Sequence, residues 1–126
     1  MSSASDYLEN ALANHVFRNT AMTSPTTVYA ALYTGAPTDA GGGIEVSTGG
    51  YTRQAVAFDA PSGGVISPSA DVTWTASGAA YGTVVAVGIF DASTAGNLLV
   101  WDDFTGQTVN DGDDFVLRSS STITIT

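Results

Sequence analysis

With 126 residues and a mass of 12.8 kDa, the chain is long enough for one domain that removes roughly two thirds of its unfolded surface from water, and too short for two of ordinary size. Hydrophobic residues make up 44% and charged residues 12%, about half the usual charged share, a balance that excludes disorder. Twelve carboxylates face only Arg18, Arg53 and Arg118, for a formal net charge of −9, so the chain offers no basic surface for nucleic acid. The absence of cysteine excludes a disulfide framework, a zinc–thiolate site and a thiol nucleophile. No apolar run approaches the ~18 residues of a membrane span, and the N-terminus lacks the basic-then-apolar order of a signal peptide. A soluble chain that is not exported by that route, with no membrane partner, is the expectation.

The shortage of charge itself carries information. Ordinary soluble surfaces carry ~25–35% charged residues, so a chain this poor in them is expected to cover part of its surface by assembly. Ala, Thr, Gly and Ser stand where Lys and Glu would normally be, and they suit close, flat contacts as well as short strands and turns.

In chain order, the first predicted element is a helix over residues 5–18. Leu8, Ala11, Leu12 and Val16 fall at the i, i+3, i+4, i+8 spacing of one helical face, with His15 on or beside it. Asp6 followed by Glu9 resembles a capping box, and Arg18 suits the negative helix end. The helix is expected to end by Pro25, because the residue before a proline is pushed out of helical geometry.

From Thr26 the period changes to two. Runs at Thr27–Thr34, Tyr51–Phe58, Val65–Ile66, Asp71–Thr75, Thr83–Phe90, Asn97–Phe104, Phe115–Ser119 and Thr122–Thr126 predict seven or eight short strands in a mainly β, antiparallel sandwich or barrel. The whole is a single domain, 1–126, with a β portion from 26 to 126. Between the first two runs lies a glycine-rich stretch, Gly35–Gly50, which predicts a long loop, mobile unless a partner pins it. Two strands are apolar on both sides: Val28, Ala30 and Leu32 oppose Tyr29, Ala31 and Tyr33, while Val85, Val87 and Ile89 oppose Val84, Ala86 and Phe90. Such strands need cover on both faces, whereas Thr122–Thr126 alternates as a solvent-backed strand should. A second sheet supplies one cover. The helix, through Leu8, Leu12 and Val16, is the expected other, and a neighbouring chain is the alternative.

Candidates for chemistry are few. His15 is the single histidine, and on a partly apolar helix face it reads as a packed or interface residue rather than a general base. Nothing marks a nucleophile elbow, so no enzyme activity is expected. Asp102, Asp103, Asp111, Asp113 and Asp114 could gather oxygens around a hard cation, but their spacing misses the known calcium loop and Asn110-Asp111-Gly112 reads first as a turn. Gly41, Gly42 and Gly43 lack the strand, helix and Lys-Ser/Thr context of a phosphate cradle. Tyr29, Tyr33, Tyr51, Trp74, Tyr81 and Trp101 could line a saccharide face, although aromatics at strand positions more often pack in the core. No cofactor is expected.

Three stretches carry a family likeness: Tyr7 to Thr20, Val28 to Asp39, and Gly82 to Ala92. In this order, and with Glu45-Val46, Gly49-Gly50-Tyr51 and Arg53-Gln54 between them, the chain resembles along nearly its whole length a family of small virion proteins of tailed bacteriophages. Its members are commonly labelled tail fibre proteins and in some phages are similar to capsid cement or decoration proteins. The chain departs from the pattern at Ala80-Tyr81-Gly82, where a tryptophan commonly precedes the glycine, and in the acidic stretch after Trp101. The resemblance implies a structural role in the virion. No heptad, collagen triplet or shaft repeat is present, and a compact, charge-poor β domain fits a cement protein on the outer capsid surface as the expected role. For such a protein, made in the host cytoplasm, the resemblance implies a homotrimer bound to the major capsid protein. A tail fibre or tail-tip module for host attachment is the alternative. The helix face Leu8, Leu12, His15 and Val16, and the loop Gly35, Gly41, Gly42, Gly43 and Ile44, are the expected contact segments.

Overall fold

The computed structural model describes residues 3–124. Ten strands and one helix follow in order: β1 (Ser3–Ala4), α1 (Asp6–Phe17), β2 (Val28–Gly35), β3 (Ile44–Glu45), β4 (Gln54–Val56), β5 (Val65–Ile66), β6 (Val72–Thr75), β7 (Gly82–Phe90), β8 (Leu98–Val109), β9 (Asp114–Leu117) and β10 (Ile123–Thr124). The mainly β, antiparallel sandwich with one N-terminal helix is as expected. β1 and β3 were not foreseen; they are set by backbone pairing with β8 and β2. β8 runs five residues past the expected Phe104, paired along β7 as far as Gly82↔Val109. In the alternating Thr122–Thr126 segment, residues 125–126 lie outside the described residues.

A six-stranded antiparallel sheet has the order β1-β8-β7-β2, and β3 and β4 share the outer edge of β2. β4 pairs with Val28–Ala30, while β3 pairs further along, at Tyr33 and Gly35. Two ribbons, β6–β9 and β5–β10, complete the body. Side chains from one sheet face, including Leu32, Val84, Val100 and Val109, pack with Trp74 and Phe115 of the β6–β9 ribbon into the main core. The Trp74 and Phe115 rings meet edge to face at 6.0 Å, the arrangement that aromatic quadrupoles favour.

The other sheet face holds a second cluster of Ala31, Tyr33, Ala86, Phe90 and Leu98. Both sides of β2 and β7 are thus covered within the chain, as their sequence demanded, but the helix is not the cover. No residue of α1 is buried. Leu8 leans against the main core, and Leu12 and Val16 are exposed. The second face is covered instead by Arg53 above Phe90 and by the loop ahead of β3, whose Asp39 carboxylate accepts from Trp101 Nε1 at 2.9 Å.

The start of α1 is fixed to the sheet through Ser5, which is 1% exposed. Its amide donates to the Leu99 carbonyl at 2.8 Å, its hydroxyl donates to the Leu98 carbonyl, and the same oxygen accepts from the Leu8 amide at 3.1 Å. Ser5 is therefore the N-cap, one residue before the expected Asp6. Edge pairing of β1 with β8 places Ser5 against the sheet, and that decides which oxygen faces the orphan amides. At the far end Asn19 adopts a left-handed φ of 53°, and the Thr20 amide turns back to the Asn14 carbonyl at 3.1 Å, which ends the helix before Pro25.

Replacing this cap has a local readout. Ser5→Ala is expected to cost about 1–2 kcal/mol. Amide hydrogen exchange over residues 6–17 should accelerate well beyond the change in β2 and β7; equal acceleration everywhere would refute the anchoring role.

Candidate functional site

One end of the molecule gathers the polar chemistry around Arg53. Its guanidinium makes a two-pronged contact with Glu45, Nε to Oε2 and Nη2 to Oε1, both at 3.0 Å. Nη1 donates to the carbonyls of Ala92 and Ala95 at 2.9 and 2.8 Å, and Cζ lies 3.7 Å from the centre of the Phe90 ring. The side chain is 8% exposed. Only a planar fork can reach a carboxylate, two carbonyls and an aromatic face together. Arg53 thereby ties the strand edge to the β7–β8 turn, which is also closed by Asp91 accepting from the Asn97 amide and side chain.

Glu45 has a second donor. The Tyr51 hydroxyl donates to Oε2 at 2.7 Å and accepts from the Leu32 amide at 3.0 Å. Burial, and then this bond to Glu45, push the Tyr51 phenol far up. Burial and the Glu45 charge push the stacked Tyr33 phenol up to about 12, against the opposing pull of Arg53. Between Glu45 and Arg53, Gly49 takes φ +68°, and a Cβ there would stand 2.5 Å from the Ala79 carbonyl oxygen. The Glu-Val, Gly-Gly-Tyr and Arg-Gln pieces are therefore parts of one folding unit.

Beside this network opens a cleft of about 480 Å³ bordered by the start of α1, the loop at 39–43, Glu45 and Arg53. The Asp6 amide donates to the Asp39 carbonyl at 2.8 Å, so the helix start and the glycine-rich loop, both expected contact segments, meet here. Gly41, Gly42 and Gly43 have φ of 96°, 76° and 79°, and a Cβ on Gly43 would stand 2.7 Å from the Gly35 carbonyl oxygen. Gly35 itself closes β2, and Ile44 is exposed on β3.

The helix projects from this base. Twelve residues span about 18 Å, and the large apolar side chains become freer along it: Val16 is 64% and Phe17 84% exposed. His15 is exposed too, and its Nδ1 accepts from the Met22 amide at 3.4 Å, securing the segment that runs back beside Asn10, Ala11 and Asn14. Of the four residues expected on the contact face, Leu8 serves the core, His15 the return segment, and Leu12 and Val16 face outward. Phe17 was missed because it lies ~180° from Leu8 around the helix. A large apolar residue off the stripe, at the helix end, was the available signal.

Other expected groups have structural employment. Asp111 accepts from the Gly78 amide, Asp113 from the Asn110 amide and Asp114 from the Thr75 hydroxyl. Asp102 and Asp103 lie on β8, apart from that turn. Among the described residues, the carboxylates whose oxygens come within 4.8 Å of one another are Asp6, Glu9 and Asp39, all exposed. Tyr33, Trp74 and Tyr81 are buried and form no open saccharide face. Among the described residues, no helix is long and apolar enough to cross a membrane.

A family model described as Podophage GP4 fiber I protein gp80 matches residues 3–126. No curated protein matches the chain.

Two outcomes follow from the Arg53 network. Arg53→Ala leaves Glu45 without its cation and uncovers Phe90. It is expected to cost about 3 kcal/mol and roughly 10 °C in thermal midpoint, with Arg53→Lys recovering less than half because an ammonium cannot make the fork. In alkali, an unfolded tyrosine loses its proton near 10 while Tyr33 holds it to about 12. The stabilisation is thus complete below pH 10 and is lost as pH rises from 10 to 12. Urea midpoints across that window should fall, and Tyr33→Phe should flatten part of the slope; an unchanged slope would count against the assignment.

Proposed function

The chain belongs to the family of the podophage GP4 fiber I protein gp80, a family of phage virion fibre proteins, and we propose that it acts as a non-enzymatic structural subunit of the tail fibre apparatus. It joins its neighbours through the free end of α1. The observation that carries this reading is the exposure of Val16 and Phe17 on a helix whose base is anchored by buried Ser5. Large apolar side chains held out from a rigid support are suited to burial against another subunit.

The family match supports the tail fibre role more than the capsid cement role expected from the low charge, the doubly apolar strands and the family resemblance. The covered strands point the same way. Because β2 and β7 are buried on both sides within the chain, the sheet does not need a capsid lattice to complete it, and docking is left to the helix and the loop carrying Ile44. Contact with the major capsid protein belongs to the cement reading. Self-association, with a homotrimer as the expected state, is compatible with either address. The net charge of −9 disfavours adhesion to released genome or anionic envelopes.

Location and copy number test the proposal together. Antibody labelling and quantitative gels of purified particles should find few copies confined to the tail; a lattice-wide number over the head would overturn the fibre role in favour of cement. Phe17→Asp should leave the unfolding free energy of the isolated chain within about 0.5 kcal/mol of the parent, as at an ordinary surface position, while removing the protein from particles. Normal incorporation of that variant would refute docking through the helix end.

A further inference from the structure

A second apolar feature lies away from α1. Strands β7 and β8, together with β9, β10 and the segment before β5, enclose a cleft of about 260 Å³. Phe58, Val87, Val100, Phe115 and Leu117 line it, Asp102 stands on its wall, and no residue of α1 contributes. We propose that this cleft receives Phe17 from a second copy of the chain, and that Arg18 of the incoming helix pairs with Asp102. The inference rests on the helix end being an attachment surface and names its occupant.

Size and chemistry match. An apolar cavity of roughly 150 Å³ suffices to take up a benzene ring, so the cleft has room for the phenyl group and part of Val16. Charge selects the partner. Two copies, each at −9, repel at long range, so a self-contact needs a cation at the point where they touch. Arg53 is engaged by Glu45 and Arg118, at the cleft itself, by Asp71. Arg18, next to Phe17, hydrogen-bonds the Asn14 side-chain oxygen at 3.1 Å and makes no ion pair among the described residues. Asp102 already has a partner of its own, but a carboxylate has acceptor sites for more than one donor. The contact joins two different patches, so it is heterologous and closes into a ring when the rotation allows; a homotrimer is one such ring.

Sedimentation of the full chain over a concentration series tests this. The parent chain should form oligomers. Phe17→Asp should weaken assembly on the order of 30-fold or more, and Arg18→Asp or Asp102→Arg roughly tenfold each, with the Arg18→Asp/Asp102→Arg double swap restoring it. A mixture of Phe17→Asp, which keeps an intact cleft, and Asp102→Arg, which keeps an intact helix end, should yield one-to-one pairs. Should Asp102→Arg not fold, Asp102→Asn with Arg18→Ala must show losses that do not add. A parent chain monomeric at every concentration, or a swap that restores nothing, overturns the self-contact. If the parent is monomeric and Phe17→Asp is nonetheless lost from particles, docking through the helix end survives and only its partner is wrong. If Phe17→Asp is incorporated normally, both ideas fall.

Discussion

The grip of Arg53 on Glu45, on two turn carbonyls and on the Phe90 ring is the constraint around which this end of the molecule is arranged. It joins three segments that backbone pairing alone leaves apart: the β3 edge, the approach to β4, and the β7–β8 turn. It also closes the second sheet face, where Ala31 and Ala86 are too small to cover themselves. A chain with three basic residues thus spends one of them inside the fold. Glu45 is shared with Tyr51, whose hydroxyl reaches the Leu32 amide of the central strand. The network therefore runs from the surface to the middle of the sheet, and the glycines between its members set the path that lets them meet.

That rigid end is also where the helix begins. Ser5 is bonded to the carbonyls of Leu98 and Leu99 in the strand that follows the turn held by Arg53. The orientation of α1 is thus inherited from the sheet and from that turn. Its own stripe does little to hold it down, since none of its residues is buried. An amphipathic helix normally gains its stability by packing its apolar side. Here the cap and the return segment tied to His15 hold the helix, and its apolar end is left exposed.

This division reconciles a low charge content with a self-contained body. The charge deficit pointed to assembly, and a neighbouring chain was the alternative to the helix as cover for the central strands. The strands complete themselves, and the most exposed of the large apolar side chains are Val16 and Phe17 at the helix end and Ile44 on β3. In the docking proposed for the helix end, a small projecting contact repeats from copy to copy without exposing an unpaired sheet face during assembly, a known route to aggregation.

The amino-acid order alone determined the class of fold. The switch from a 3.6-residue to a two-residue period at Thr26 marks one helix followed by strands, and the double apolarity of β2 and β7 marks them as central, because side-chain direction along regular backbone follows from local geometry. The Glu45, Tyr51 and Arg53 residues were visible as a pattern but not as a unit, since charged partners eight residues apart have no fixed relation until a turn brings them together. The cap at Ser5, the exposure of Phe17, and the replacement of the helix by Arg53 as cover for Phe90 were decided by tertiary structure. Each depends on which groups compete for the same place, and sequence spacing does not record that competition.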